Sequence, residues 1–456
     1  MWWLLVLFLL IGVAIALKAG LVAFAGYVLL GVYLLSRYLA RQWVHNLSAT
    51  RQCDATPREI GESTDVTVTI KNAGFIPVAW VLVEDLVPNL AFKFRTPPFT
   101  VKGKRIHVVM LRGKQTKTIK YKVTFAMRGY YPLGPTLLET GDVFGLHRRH
   151  RVIGKPVYVM VYPKVVPLPK YDFASERPIG EIRLQNRLFE DPTRTAGVRQ
   201  YVLGDPLQRV HWKITARTGQ LHCRIYEPTT LAGATVLVDF HEDGYPKRSE
   251  PHRSELVITT AVSVAYAVSM LNQQIGLASN GRDGADRIRE ESLAAESPEA
   301  QSEGHATRED ARARFALKAD SDRLRPVVVD TQRGFDQFQK IREALARLEL
   351  SDGMNFAQLC LEMASRMPRD ATVIAVLPQV SVETAIALGT LRRQGFAVSA
   401  ILIGLDDGDK LLAHGRLLAE MVRDIRYANT VEELAHLGGN TAAPGAAAYA
   451  VDIPLA

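Results

Sequence analysis

The residues best suited to chemistry lie between Arg199 and Glu227. Arg199, Arg209, Arg217 and Arg224 are set around Tyr201, Trp212 and Tyr226, with Asp205 and Glu227 as the carboxylates. The pattern reads R-x-Y-x-x-G-D-x-x-x-R-x-x-W-x-x-x-A-R and closes on R-x-Y-E, with Gly204 beside Asp205. Guanidinium forks match the planar oxygens of carboxylates and phosphates, so one reading is a recognition surface for a partner. The other reading is internal bracing. It has a turn at Gly204-Asp205-Pro206 and a helix starting near Pro206, with Asp205 as its N-cap and proline at its first position. Arginines would then stack on Trp212 or pair with Asp205 and Glu227. Alternating charges and aromatics can satisfy one another, so bracing is preferred. Asp205 as a catalytic acid has no second carboxylate in a fixed sequence relation to it.

Other reactive patterns are missing from the sequence. There is no phosphate-binding G-x-x-x-x-G-K-[ST], no G-x-S-x-G nucleophile elbow and no kinase signature set. GLASNGRDG (Gly276 to Gly284) lacks the spacing of a dinucleotide loop and reads as a strand end and turn. His211 and His241 have no paired, zinc-binding spacing. Cys53, Cys223 and Cys360 are far apart, which excludes a disulfide-built fold and agrees with a reducing compartment.

The 456 residues imply about two to four folded units, at roughly 100–200 residues each. The net charge of +9 invites a nucleic-acid reading, but no stretch interleaves basic and aromatic residues as a nucleic-acid motif does. Excess lysine and arginine facing anionic lipid explains the charge better, and nucleic acid is not expected as a partner.

The sequence is sharply asymmetric. From Trp2 to Ser36 the sole charged residue is Lys18. One helix of that length would run about 52 Å, too long for a hydrocarbon core of about 30 Å. Splitting at Lys18 gives segments Trp2–Leu17 and Ala19–Ser36 of roughly 24 and 27 Å, so residues 1–36 read as a transmembrane helical hairpin with a snorkelling lysine. Arg37 and Arg41 follow at once, and Arg51 and Arg58 soon after, which places the body in the cytoplasm at the inner (plasma) membrane.

The body combines all-β and α/β parts. Residues 52–165 alternate with period two: Val66, Val68 and Ile70 share one face, as do Ile119, Tyr121, Val123 and Phe125. Turn-rich separators between short strands suggest an Ig-like antiparallel β-sandwich. Residues 166–231 form the connector that carries the arginine motif. Across 232–435 the period changes. Apolar runs TVLVDF, IGLAS, VVVD, TVIAVLP and FAVSAILIG alternate with helices near 254–272, 335–348, 356–366 and 381–394. This implies a doubly wound parallel sheet. Residues 282–325 are charged and have no apolar stripe, which reads as a disordered insertion or a solvated helix, disorder being preferred. Residues 436–456 read as a loose tail.

The connector motif resembles the domain-of-unknown-function 58 family of bacterial membrane-anchored proteins, at Arg199, Tyr201, Gly204, Asp205, Arg209, Trp212, Ala216, Arg217, Leu221, Arg224, Tyr226 and Glu227. MRGYYPLGPTLLETGDVFGL (Met127 to Leu146) is similar to the end of that family's sandwich. The likeness covers most of the chain apart from the insertion and tail. It implies two membrane segments and a von Willebrand factor A-like half. It also implies a partnership with a MoxR-type AAA+ ATPase, as adaptor, scaffold or assembly factor in cell-envelope processes.

Von Willebrand A-like domains often hold Mg²⁺ through a D-x-S-x-S loop, a threonine and a later aspartate. Here the loop is Asp239-Phe240-His241-Glu242-Asp243, Met354 stands at the threonine position beside Asn355, and Pro378-Gln379 replaces the last aspartate. A metal-free fold with no cofactor is therefore expected. The principal expectation is a non-enzymatic interaction protein bound to the lipid bilayer. The alternative is a divalent-cation-dependent hydrolase or transferase using Asp239, Glu242 and Asp243. A third idea is a binder of anionic lipid or envelope polymer through the connector.

Overall fold

The computed structural model describes residues 11–13, 16, 20–87, 97–142, 147–168, 190–202, 210–228, 233–286, 325–368 and 371–435. Most of the first apolar segment, part of the connector (including Gly204, Asp205 and Arg209), residues 287–324 of the expected insertion and the tail 436–456 lie outside them.

Helix α1 (Gly20–Asn46) is long and apolar enough to cross a membrane. Leu21, Phe24, Leu29, Leu34 and Leu35 are exposed along it, as lipid-facing residues are. Residues 11–13 are helical, and Ile11 lies over Gly26, where a Cβ would come within 2.6 Å of the isoleucine side chain. The helix does not stop at Ser36, as its hydropathy suggests. Its last turns continue to Asn46 because Ala40 and Trp43 are buried, and Trp43 joins the core of the β body that follows.

That body holds two four-stranded antiparallel sheets and a smaller three-stranded one. The first runs in the order β1 (Leu47–Cys53), β3 (Ser63–Asn72), β7 (Thr116–Phe125), β5 (Phe99–Lys102). The second is β10 (Arg148–Ile153), β9 (Thr136–Gly141), β4 (Val78–Asp85), β6 (Ile106–Leu111). In the third, β11 (Val157–Tyr162) lies between β2 (Arg58–Glu59) and β8 (Gly129–Leu133). The period-two reading holds in detail: Val66, Val68, Ile70, Ile119, Tyr121, Val123 and Phe125 all enter one core. The body starts at Leu47, not residue 52. Arg51 is a buried internal charge rather than a surface one. It pairs with Asp85, which also accepts from the Tyr121 hydroxyl and, at 3.1 Å, from Thr136 Oγ1, while Arg51 Nη1 donates to Leu133 O at 2.7 Å.

After a two-stranded ribbon, β12 (Glu190–Gln200) against β13 (His222–Pro228), the chain forms a six-stranded sheet. Its order is β17 (Val327–Gln332), β15 (Gln274–Ser279), β14 (Gly233–Val238), β19 (Ala371–Leu377), β20 (Ala397–Ile403), β21 (Asp424–Ala428). β14 is buried along its whole length, as a central parallel strand should be. Helices α3 (His252–Met270) and α4 (Phe335–Arg347) cover one face. Helices α5 (Phe356–Met363), α6 (Val382–Arg393) and α7 (Asp407–Ala419) cover the other.

Three details depart from the sequence reading. β17, at the edge of the sheet, is antiparallel to β15. The helix expected near 254–272 ends at Met270, and Leu271 just beyond it is exposed. The first residues of the expected insertion are ordered into a short strand, β16 (Arg282–Asp283), paired with β18 (Leu348–Glu349). Helix α7 and strand β21, whose mixed composition (DGDKLLAHGRLLA, DIRYA) hides their period, extend the sheet beyond the elements legible in the sequence.

Candidate functional site: the connector ribbon and the carboxyl edge of the sheet

The connector motif folds into the ribbon. Arg199 lies opposite Cys223 and Val198 opposite Arg224, while Tyr226 faces Thr195. Between the strands sits a short helix, α2 (Trp212–Thr218), which starts later than the expected position near Pro206, a residue outside the described ones. Val210 forms a β-bridge with Cys223, which keeps the backbone extended up to His211. His211 then caps the helix, its Nδ1 accepting from Ile214 N at 3.3 Å. Thr215 Oγ1 accepts from His222 N at 3.1 Å and ties the helix to the ribbon.

The structure thus brings Arg199, Tyr201, Trp212, Arg217 and Arg224 onto one small unit. Tyr226 and Glu227 continue strand β13. Bracing does not enclose Trp212, which is 66% exposed, and Arg199, Arg217 and Arg224 are exposed as well. The indole faces outward from a helix with no buried residue.

Asp239 follows β14 at the carboxyl edge of the sheet and is buried. Its Oδ1 accepts from Asn280 Nδ2 at 2.9 Å and from His241 N at 3.3 Å, and its carbonyl accepts from the Tyr245 hydroxyl at 2.6 Å. Burial pushes its carboxyl above the usual carboxylate range, against the opposing pull of the Asn280 and His241 hydrogen bonds. Glu242 and Asp243 follow within four residues. They are exposed on a single 3-10 turn (Glu242–Gly244). Among the described residues no three His, Cys, Asp or Glu side chains converge as a metal site would require. Met354 is buried in the core, and Asn355 caps α5 by accepting from Gln358 N at 2.8 Å. The arrangement therefore offers one desolvated carboxylate held by an amide.

Around this edge the chain's own groups fill one another's needs. The Arg253 guanidinium donates to Pro378 O and, through Nε at 3.4 Å, to Ile403 O. Glu242 N donates to Ser351 O at 3.0 Å, joining the acidic loop to the loop before α5.

Arg128, just before β8, reaches across from the β body. Its Nη1 donates to Leu345 O at 2.8 Å and Leu348 O at 2.9 Å, and its guanidinium lies 5.5 Å from the centroid of the Phe240 ring. Nε is 3.3 Å from Glu255 Oε1 on α3. Arg342 makes a second crossing, with Nη2 at 2.7 Å from both oxygens of Glu59 and its guanidinium over the Tyr162 ring. Sequence reasoning missed Arg128, Glu255, Arg253 and Asn280. Arg128 did stand inside the MRGYYPLGP stretch, whose aromatic and glycine content marked it, but nothing local gave its partner.

The geometry of the ribbon coincides with the most distinctive sequence. Residues 197–295 match the family model described as "Protein of unknown function DUF58". A relative from Bacillus subtilis (strain 168), named "Uncharacterized protein YeaD", is 25% identical over 262 residues. That alignment covers 57% of this chain and 62% of the relative, so the chain spans less than two thirds of the relative it matches. Among solved structures, the CARDB domain of a Pyrococcus furiosus protein is similar at 17% identity and TM-score 0.18, over 25% of this chain and 91% of that one. Proximal thread matrix protein 1 from the mussel byssus is similar at 10% identity and TM-score 0.28, over 45% of this chain and 46% of that one. At these scores neither likeness carries an argument.

Proposed function

We propose that this chain is a membrane-anchored, non-enzymatic interaction protein, an adaptor or scaffold acting with a MoxR-type AAA+ ATPase in cell-envelope or complex assembly. The N-terminal segments are read as a two-helix hairpin with the body in the cytoplasm. The seat of Ile11 over Gly26 supports the hairpin, and Arg37 and Arg41 support the orientation. The β body is read as an Ig-like sandwich, since its two four-stranded sheets contribute to one core. The six-stranded sheet is read as doubly wound and von Willebrand A-like. Its strand order, single antiparallel edge strand and helices on both faces support this.

One contrast carries the functional reading. At the carboxyl edge, where open α/β sheets take ligands, Asp239 and Arg253 are engaged by the chain's own amide and carbonyl groups, whereas the motif displays Trp212 among exposed arginines. A ligand-binding edge would spend its polar groups on a ligand. A contact surface exposes an aromatic anchor and guanidinium forks, as this ribbon does.

The test is purification from membranes under nucleotide-trapping conditions. An AAA+ ATPase should co-purify with the parent chain and be lost with Trp212→Ala or Arg209→Ala. A parent chain that brings down no ATPase overturns the reading.

A further inference from the structure

Helix α1 and the β body are packed side by side, and the packing reaches past the end of the apolar stretch. Ser36, Ala40 and Trp43 are buried at spacings of four and three, so one face of α1 meets the body. Tyr33 carries that face one turn further back, its ring centroid 4.9 Å from that of His147. Ser36 closes the apolar stretch and Arg37 follows it. At the other end of α1, Arg151 Nη1 donates to Val44 O and His45 O at 3.2 Å and to Leu47 O at 3.1 Å. Edge strand β10 therefore runs alongside α1, its Arg148 end toward the apolar stretch. The strand steps from His147 to Arg151 cover about 13 Å and the helical steps from Tyr33 to Val44 roughly 16 Å. Arg148 and Arg149 thus come level with residues 36–41 of the helix.

At that level the exposed charges are basic. Arg37 and Arg41 on α1 and Arg148 and Arg149 on β10 are exposed. The carboxylates of the adjoining β9 end are both buried. Glu139 lies 3.7 Å from Arg148 Nη1 and 4.0 Å from His150 Nδ1, and Asp142 accepts from His147 N at 2.5 Å. Val143 to Leu146, outside the described residues, add no charge.

We infer that the Arg148 end of β10 seats the body on the bilayer, with Arg148 and Arg149 joining Arg37 on the phosphates of anionic lipid. The inference rests on the membrane-anchor reading above. It adds that the body lies against the leaflet in one pose, held by the buried stripe of α1 and the Arg151 hydrogen bonds. Because the body already packs on α1 at Ser36 and Tyr33, its β10 end stands at the headgroups, where the tyrosines Tyr33 and Tyr38 also suit the boundary. Guanidinium forks match phosphate oxygens, and each lysine or arginine near an anionic leaflet favours contact roughly fivefold. Packing on α1 makes this contact intramolecular, so weak attraction suffices.

The experiment uses the full chain in nanodiscs of phosphatidylcholine alone and of phosphatidylcholine with an equal part of phosphatidylglycerol. Hydrogen exchange is read over residues 148–153 as the ratio of rates in the two discs, and over residues 20–36 to report on the anchor. The expected result is exchange of β10 slowed about tenfold or more in the anionic discs, and an effect abolished by high salt and by Arg148→Gln with Arg149→Gln. The control pair is Arg112→Gln with Lys114→Gln. Both residues are exposed, and Lys114 N donates to Gly74 O at 2.9 Å beside Ala73, whose N donates to Asn46 O at 2.8 Å. Asn46 lies roughly 15 Å along α1 from Ser36, beyond the screening length of about 8 Å, so this pair should leave the ratio unchanged. All four positions are exposed, so the variants should fold. Equal exchange of β10 in both discs, with residues 20–36 protected, overturns the inference and leaves the anchor standing. Slowing that survives Arg148→Gln with Arg149→Gln, or that the control pair abolishes equally, overturns it too. A chain that does not enter nanodiscs overturns the anchor and this inference together.

Discussion

Arg128 Nε stands 3.3 Å from Glu255 Oε1, and this ion pair, with two hydrogen bonds to Leu345 O and Leu348 O, fastens the β body to the six-stranded sheet. Burial raises the pKa of Glu255, while the Arg128 charge pulls it back down. The arginine therefore both fills two carbonyls and tempers the cost of a desolvated carboxylate.

Replacing Arg128 with methionine should destabilise the chain by about 3 kcal/mol or more, because the carboxylate and both carbonyls lose their partner. Adding Glu255→Gln should recover part of that loss. Denaturant unfolding of the parent, the two single variants and the double variant gives the coupling directly, and additive effects would mean the pair contributes nothing.

Gly134 has φ +86°, and a Cβ on it would run into the Arg51 guanidinium. Gly134→Ala should therefore cost more than the ~1–2 kcal/mol of the left-handed backbone alone, since Arg51 must leave Asp85 as well. A loss within that backbone range in equilibrium unfolding would show that the Arg51–Asp85–Tyr121 cluster yields easily.

The raised pKa of Asp239 sets a sign for pH. The folded carboxyl holds its proton to higher pH than the unfolded one, so this residue's contribution to stability falls as pH climbs from its ordinary value of 3.8 through the folded pKa. Asp239→Asn keeps the acceptor for Asn280 and removes the buried charge. Its melting temperature should exceed the parent's at neutral pH, with the gap closing as the pH drops toward 3.8. A gap that is independent of pH would show that the charge is not the cause.

Millimolar Mg²⁺ or Mn²⁺ should leave the melting temperature of the parent unchanged, because among the described residues no three His, Cys, Asp or Glu side chains converge on a cation. A cation-induced rise that disappears in Asp239→Ala would revive the hydrolase or transferase reading.

Trp212→Ala should change stability by no more than about 0.5 kcal/mol, since the side chain is mostly exposed. A loss of several kcal/mol on unfolding would mean the indole braces the ribbon instead of presenting itself.

The sequence by itself determined the features that depend on neighbours in the chain. Alternation in DVTVTIK and TKTIKYKVTF gave two strands with the right faces inward, and the unbroken run in TVLVDF gave the central strand β14. The apolar stretch after Lys18 gave a membrane-length helix, whereas the spacing of the arginine motif carried no mark of the β-ribbon that holds it. Tertiary structure alone decided the rest. The antiparallel sense of β17, the hold of Asn280 on Asp239, and the reach of Arg128 to Leu345, 217 positions away, are pairings between distant segments. Periodicity records which side of an element is dry. Which charged or amide group it finds there is set by how the sheets and helices stack, and the spacing of residues along the chain does not carry that information.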